Sequence, residues 1–442
     1  MDQPEHGVHP VLLPNSTSLG SIVPKTVESC LRRAPSLRYN WDEKLRELIV
    51  GICLSRSLVL QSIAQTRPGR VKTTENVLSE FLGQERLDLD GTQKACVVDT
   101  LKRMSRRRFW RHNGKIVIII DSTAHAKARS RGKIRPMPGK GKVRLHNLPT
   151  KETLLVPGYQ EIWVGVLMKD RTVLPLTRRL WSENGPDCAS MNMAELVQIG
   201  EAREIIREAF DTDVILVADS GFRRKELLHW LKIVEKMDYV IRIEGNLTVR
   251  MGDEKGLLEN LAPWWRKRVR VQWRENSKRV LVSDVSAHRV SVETESKEGF
   301  SFNAVYLEGV TEEKKPMFLA TTLTTETVDD LRAIVRHYSW RWGIETFFWK
   351  FKEAMKANSW RVFSCWEAID RLLSAALMAY LALVLLATFC RRASTPGMKR
   401  LLRRMKEILR SRFARPPELT LGRFFRIIAM DFPNPGPAGG AL

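Results

Sequence analysis

The sequence predicts a mixed α/β fold: a core of alternating strands and helices, interrupted by a block of antiparallel strands and flanked by helical N-terminal and C-terminal parts. Three observations carry this. Ile116-Val117-Ile118-Ile119-Ile120 and Val214-Ile215-Leu216-Val217-Ala218 are short β-branched and aliphatic runs, the composition of strands buried on both faces. Helical periodicity occupies the stretches between and after such strands. Residues 245–315 break that rhythm with two-residue alternation.

Residues 1–38, rich in Pro, Ser and charge with little periodicity, read as a flexible arm. Residues 39–112 read as a helical block. Leu45, Leu48, Ile49, Ile52 and Val59 recur at helical spacing, and Thr73-Thr74-Glu75 marks a helix start. The basic cluster around Arg106-Arg107-Arg108 closes the block; it suits a DNA-binding domain, and a solvated helical face carries the same pattern. The α/β core spans residues 113–390. Its first strand is expected to end at Asp121, with further strands at Glu161–Met168, Thr172–Leu176 and Tyr239–Ile243. A helix is expected over about 192–209. Within the 245–315 insertion, Val269, Val271 and Trp273 alternate with Arg268, Arg270, Gln272 and Arg274, giving one apolar and one basic face. Met317–Thr321 returns to the core, and helices follow over about 326–356 and 366–390. Residues 391–442 form a basic segment with a frayed, Pro- and Gly-rich end.

Composition narrows the function. Among 442 residues, 73 Lys and Arg face 50 Asp and Glu, a net charge of +23 that calls for a polyanionic partner, nucleic acid before an anionic membrane. An apolar fraction of 43% excludes a wholly disordered chain. The six cysteines lie at least 23 residues apart, with no zinc-type pair and no compact disulfide framework, which suits a reducing cytosol. No signal-peptide pattern is visible at the N-terminus. Leu372–Cys390 runs 19 residues without a charge, long enough to span a membrane. Its alanines and the interruptions at Ser374, Tyr380 and Thr388 favour a buried core helix instead.

The chemistry gathers in one pattern. Tyr338, Arg341, Glu345 and Lys352 have offsets 0, 3, 7 and 14. On one helix they fall within an arc of about 60°, beside a core face of Ile344, Phe348, Phe351 and Met355. A salt-bridged solvated face would look similar. Asp121 and Asp219 shift the balance, because each follows a buried strand, where open α/β sheets bind ligands. Singly, such residues cap helices or turns. Together with a helix-borne Glu they make three hard oxygen donors able to hold two divalent cations. A pair of metals about 4 Å apart serves phosphodiester displacement, and Tyr, Arg and Lys around them grip phosphates.

These residues resemble the DDE transposases of the insertion-sequence-4 family. The likeness lies in Asp121 within IIIDSTAH, Asp219 within ILVADSGF, and Tyr338-x2-Arg341-x3-Glu345-x6-Lys352, separated by 98 and 126 residues between the acids. It covers about residues 113–390. The resemblance implies an RNase H-like catalytic core with a β insertion before the last acid. It implies two Mg²⁺ or Mn²⁺ ions on Asp121, Asp219 and Glu345, and cutting of double-stranded DNA at transposon ends, then joining of the 3′-OH ends to target DNA. Tyr338, Arg341 and Lys352 inherit contacts to the transposon end near the scissile phosphate. It further implies a homodimer on paired ends in a prokaryotic cytoplasm, at the nucleoid, and a hairpin intermediate with an aromatic side chain of the insertion around a displaced base. Trp264, Trp265 and Trp273 are the candidates for that role, and no motif selects among them. One departure stands out: Ser220 precedes Gly221-Phe222 where many relatives carry Arg, which removes a phosphate contact and leaves metal binding by Asp219 intact.

Residues 122–150 read as an acid-free basic loop in which Arg129, Arg131, Lys140, Lys142 and Arg144 track a DNA backbone. Gly139-Lys140-Gly141 lacks the Walker spacing. His125 is a loop histidine or a neighbour of the metals; no zinc pattern surrounds it. Ser122, His125 and Asp121 lack the elbow and separate loops of a hydrolase triad. Two other classes compete with a transposase: a transposase-derived DNA-binding protein without catalysis, and an RNase H-like nuclease without strand transfer. A membrane-anchored basic protein is a third.

Overall fold

The computed structural model describes residues 19–37, 40–67, 69–104, 106–126, 141–146, 153–186, 190–265, 268–274, 280–308, 316–354, 365–392 and 403. Five helices come first: α1 (Leu19–Leu31), α2 (Trp41–Ser55), α3 (Leu60–Ala64), α4 (Val71–Leu82) and α5 (Asp90–Arg103). Strands β1 (Arg111–His112), β2 (Lys115–Ala126), β3 (Gly141–His146), β4 (Thr153–Leu167) and β5 (Val173–Trp181) follow. Then come α6 (Met191–Phe210), β6 (Val214–Ala218), α7 (Lys225–His229) and β7 (Asp238–Ile243). The insertion holds β8 (Thr248–Met251), β9 (Glu254–Leu257), α8 (Leu258–Leu261), β10 (Val269–Arg274), β11 (Val280–Glu293) and β12 (Gly299–Leu307). The chain returns through β13 (Met317–Thr321), α9 (Val328–Ser339), α10 (Trp342–Ala354) and α11 (Trp366–Arg392).

One mixed sheet carries all the described strands. Its central part runs β5-β4-β2-β6-β7: β4 is antiparallel to β2 and to β5, while β6 is parallel to both β2 and β7. The two aliphatic runs predicted as buried strands are the parallel neighbours β2 and β6, and all five residues of each run are buried. Beyond β7 the sheet continues through β13, β12 and β11, each antiparallel to the last. The insertion therefore extends the core sheet rather than forming a separate layer. Near its outer end β10 pairs with the start of β11 and packs against α9.

Several elements depart from the sequence reading. Strand β2 does not stop at Asp121 but continues five residues to Ala126, because β4 pairs along it as far as Ala126 with Gly158. The segment expected to be a basic loop thus holds the end of β2 and, at 141–146, strand β3, which pairs with the first part of β4. Residues 19–31, expected within a flexible arm, form α1, and Val23, Val27 and Cys30 on one face are buried against the other helices. Helix α4 starts at Val71, just ahead of the expected Thr73. The helix expected over 326–356 is two helices. A capping box of Thr327 and Asp330 starts α9, and three-residue turns break the chain at Trp340–Arg341, with Arg341 N–H donating to Tyr338 O at 3.0 Å and Ile344 N–H to Arg341 O at 2.9 Å.

Gly343, just past the break, lets α10 close on the sheet: a Cβ there would lie 2.7 Å from the Arg171 carbonyl oxygen and 3.0 Å from Val173. Phe347 and Phe351 then pack edge-on against Trp163 of β4, each at 5.1 Å between ring centroids, and Phe347 meets Tyr380 of α11 at 5.2 Å. Helix α11 is the apolar run noted in the sequence. It is the one helix among the described residues long and apolar enough to cross a membrane, and its apolar stretch is buried, packed by α1, α2, α4 and α5 on one side and β5 on another.

Because the Gly343 contact is with backbone, which cannot rotate away, Gly343→Ala is expected to lower stability by about 1–3 kcal/mol, seen as a shift of the urea unfolding midpoint. An unchanged midpoint would show that α10 does not approach the β4–β5 turn this closely.

Candidate functional site

The parallel register of β2 and β6 pairs Ile119 with Val217. Two residues further on, Asp121 and Asp219 stand level on neighbouring strands about 4.8 Å apart and with the same parity, so both project on one face of the sheet. Each is pinned by a local backbone donor: Ser122 N–H to Asp121 Oδ1 at 2.8 Å, and Gly221 N–H to Asp219 Oδ1 at 2.7 Å. Past Val217, β2 has no strand partner on its β6 side among the described residues, because β6 ends at Ala218 while β2 runs on. That step in the sheet edge is the crevice in which the site sits.

Helix α10 covers the same face and brings the third acid. Arg341 donates through Nη1 to Asp121 Oδ2 and through Nη2 to Glu345 Oε1, both at 3.1 Å. Lys352 donates to Thr123 Oγ1 and, at 3.0 Å, to the Ala124 carbonyl, both on β2. Tyr338 is buried beneath Arg341, whose guanidinium lies 6.0 Å from its ring centroid. The Tyr338 hydroxyl bonds Arg242 of β7, a strand position level with Asp219. The break between α9 and α10 does not scatter the four signature residues: Arg341 and Lys352 reach β2, Glu345 is joined to Arg341, and Tyr338 reaches β7.

The electrostatics follow from burial and like charge. Burial pushes the Asp121 carboxyl up from its ordinary 3.8 to about 7; Arg341 opposes this, and Asp219 and Glu345 add to it. Glu345 is raised by burial, again against Arg341. Burial lowers Lys352, with Glu161 pulling the other way.

The donor set suits hard divalent cations in type, since all three side chains offer carboxylate oxygens. The convergence expected from the sequence is not formed, however. Among the described residues no three His, Cys, Asp or Glu side chains stand together as a metal-holding group. The physical reason is Arg341, which lies between Asp121 and Glu345 and takes an oxygen of each.

Beneath the site runs a buried polar chain that the sequence did not reveal. His125 lies in β2, not in a loop, and its Nε2 is 2.7 Å from Glu161 Oε2 of β4. Glu161 Oε1 accepts from Arg178 Nε of β5 at 2.7 Å, and Arg178 continues to the Asp370 carbonyl and Ser374 Oγ of α11, both at 2.9 Å. Burial raises Glu161, but Arg178 and His125 outweigh it and hold the carboxyl at about 2. No sequence spacing links these residues. The only hint is a Glu within Tyr159–Leu167, whose one other polar side chain is Gln160, and the pair Arg178-Arg179 within Val173–Leu180. Arg242 was missed for the same reason, as one charge inside a β-branched strand.

The remaining candidates lie elsewhere. Lys142 is exposed on β3, and Arg144 lies on the same strand, which projects beyond the carboxyl end of β2. Arg129, Arg131 and Lys140 lie outside the described residues, as does Met355. Trp273 lies on β10, opposite Leu281. Trp265 is buried, whereas Trp264 is 81% exposed.

With this geometry in place, comparison with known proteins adds one finding. Residues 187–382 match the family model described as Transposase DDE domain. The matched stretch is somewhat under half of the chain, runs from just before α6 into α11, and contains Asp219, Tyr338, Arg341, Glu345 and Lys352. Asp121 lies ahead of it and joins the site through the pairing of β2 with β6. No curated protein matches the chain.

The raised Asp121 has a sign-definite consequence. Between about pH 4 and pH 7 the native protein holds a proton that the unfolded chain has released, so stability of the metal-free protein falls as pH rises through that window. The decline should be on the order of 3 kcal/mol and absent in Asp121→Asn. Urea unfolding in EDTA at several pH values measures it; equal declines in both proteins would remove Asp121 as the titrating group.

Proposed function

We propose that the chain is a DNA transposase of the insertion-sequence-4 type, with an RNase H-like core that cuts DNA at transposon ends and joins the freed 3′-OH to target DNA. The observation that carries this is the placement of Asp121 on β2 and of Asp219 just past the end of its parallel neighbour β6, with Arg341 of the covering helix linking Asp121 to Glu345, inside or beside a stretch that matches a transposase DDE domain. The strand order β5-β4-β2-β6-β7 with its parallel pairs supports the RNase H-like assignment. The Tyr338-x2-Arg341-x3-Glu345-x6-Lys352 spacing supports the narrower family.

In this reading Asp121, Asp219 and Glu345 are the residues that would hold two Mg²⁺ or Mn²⁺ ions. When bound, these supply charge for a phosphodiester displacement, first by water and then by the 3′-OH. The protein's own groups do the rest. Arg242 fixes the Tyr338 hydroxyl, and Thr123 and Ala124 fix Lys352, so that phenol and ammonium are presented to the transposon end in set positions. Basic residues of β3 and of the preceding segment (Arg129, Arg131, Lys140, Lys142 and Arg144) neutralise phosphates along the duplex. The helical N-terminal block recognises the ends. The insertion offers an aromatic side chain, Trp273 on β10 against α9 or the exposed Trp264, to a base displaced as a hairpin forms. A homodimer pairs two ends, and the protein works at the prokaryotic nucleoid.

The test is a cleavage assay on duplexes carrying the gene's own flanking DNA, with wild type and Glu345→Ala, in Mg²⁺ or EDTA. Wild type should cut at defined ends only with metal, with a hairpin product visible on a denaturing gel. Glu345→Ala should bind the same duplex within about twofold and cut nothing, because binding rests on the basic residues. Tight binding without any cutting by wild type would instead identify a transposase-derived binding protein.

A further inference from the structure

The position of Arg341 carries a consequence of its own, which rests on the reading just given. Its guanidinium occupies the space between two carboxylates that are expected to share cations. Nη1 takes Asp121 Oδ2 and Nη2 takes Glu345 Oε1. Its side chain is only 9% exposed, while Glu345 at its outer side is 38% exposed. Asp121 Oδ1 and Asp219 Oδ1 already accept backbone N–H groups. One oxygen of Asp121 and one of Glu345 are thus held by a single monovalent cation.

The same arginine is imperfectly housed. Its Nε is buried without a hydrogen-bond partner, and a buried unmet donor is costly. Only two of its donors are shown on acids, whereas a phosphate presented at the crevice offers two further charged oxygens in the fork geometry guanidinium prefers. Arg242 and Lys352, cations on either side of the site, raise the local attraction for such a phosphate and do nothing to hold Arg341 in place.

We infer that Arg341 is an exchangeable counter-ion. In the free protein it bridges Asp121 and Glu345 and keeps a divalent cation from joining them. A phosphate of the bound DNA end draws the guanidinium outward, and the released oxygens then accept metal. DNA and metal bind with positive coupling through this one side chain, and by reciprocity each tightens the other by the same factor. Arg341 acts in this step as a positioning residue, and the order of events keeps the cluster uncharged by metal until a DNA end is in place.

The experiment is Mn²⁺ binding to the full chain near pH 8, followed by the electron paramagnetic resonance signal of the free ion, with and without the flanking-DNA duplex of the cleavage assay. Arg341→Gln without DNA should bind Mn²⁺ at least tenfold more tightly than wild type without DNA. The duplex should tighten wild type by a similar factor and Arg341→Gln by less than twofold. Arg341→Lys, which keeps the charge but cannot bridge both acids in the same way, should fall between them and stands in should the glutamine variant fail to fold. Equal or weaker Mn²⁺ binding by Arg341→Gln and Arg341→Lys, with wild type still cutting DNA, overturns the counter-ion role and leaves the transposase reading standing. Neither binding of Mn²⁺ nor cutting of DNA by wild type overturns both.

Discussion

The alignment of two parallel strands sets everything that happens in the crevice. Ile116–Ile119 lie beside Val214–Val217 with no offset, and both runs are buried on both faces. A shift of one residue would send every side chain of one strand to the opposite face, and Asp121 and Asp219 would no longer look into the same space. The aliphatic runs are thus the device that fixes the spacing of two acids that themselves contribute nothing to the core. Strand β6 then stops and β2 does not, and this inequality of length opens the place into which α10 lowers Glu345.

A second layer of constraint lies under the first. Extending β2 past Asp121 puts His125 and Thr123 into the interior, where polar groups need partners. Glu161 and Arg178 supply them for His125, and Lys352 supplies one for Thr123. The chain of contacts from His125 through Arg178 to α11 ties three neighbouring strands to the longest helix. Removing one member would strand the others without partners in a low-dielectric setting, which is the costly way to disturb such a network. Aromatic packing of Phe347 and Phe351 on Trp163 holds α10 at the height at which Arg341 meets Asp121. The site is supported from below by charge and from the side by rings.

How much of this could be read from residues alone depends on whether a feature is local. The buried strands and α11 announce themselves through unbroken aliphatic composition. The signature on α9 and α10 was legible because four chemically distinct side chains recur at helical offsets, and it survives the break at Trp340–Arg341. The break itself was hidden: the stretch contains no proline, and Gly343 alone does not reveal that it faces the Arg171 carbonyl. The second half of β2 was hidden because Ser122, Thr123, Ala124 and His125 show no apolar alternation; what makes them a strand is β4, 34–40 residues away. Helix α1 was obscured by Pro24 and its polar neighbours, and only burial against the other helices reveals its apolar face. Arg242 and Glu161 became visible only when distant strands brought them to Tyr338 and His125.

The burial of α11 also bears on how the chain is made. Helices α1, α2, α4 and α5 rest on a partner that begins some 260 residues downstream of the last of them. At ordinary elongation rates that is on the order of tens of seconds of synthesis, during which the part of their apolar surface that α11 covers lacks its native partner. The N-terminal block is therefore built first and completed last. Until α11 leaves the ribosome, it is a natural client for chaperones, and a message broken ahead of residue 366 yields a product that cannot close its own interior.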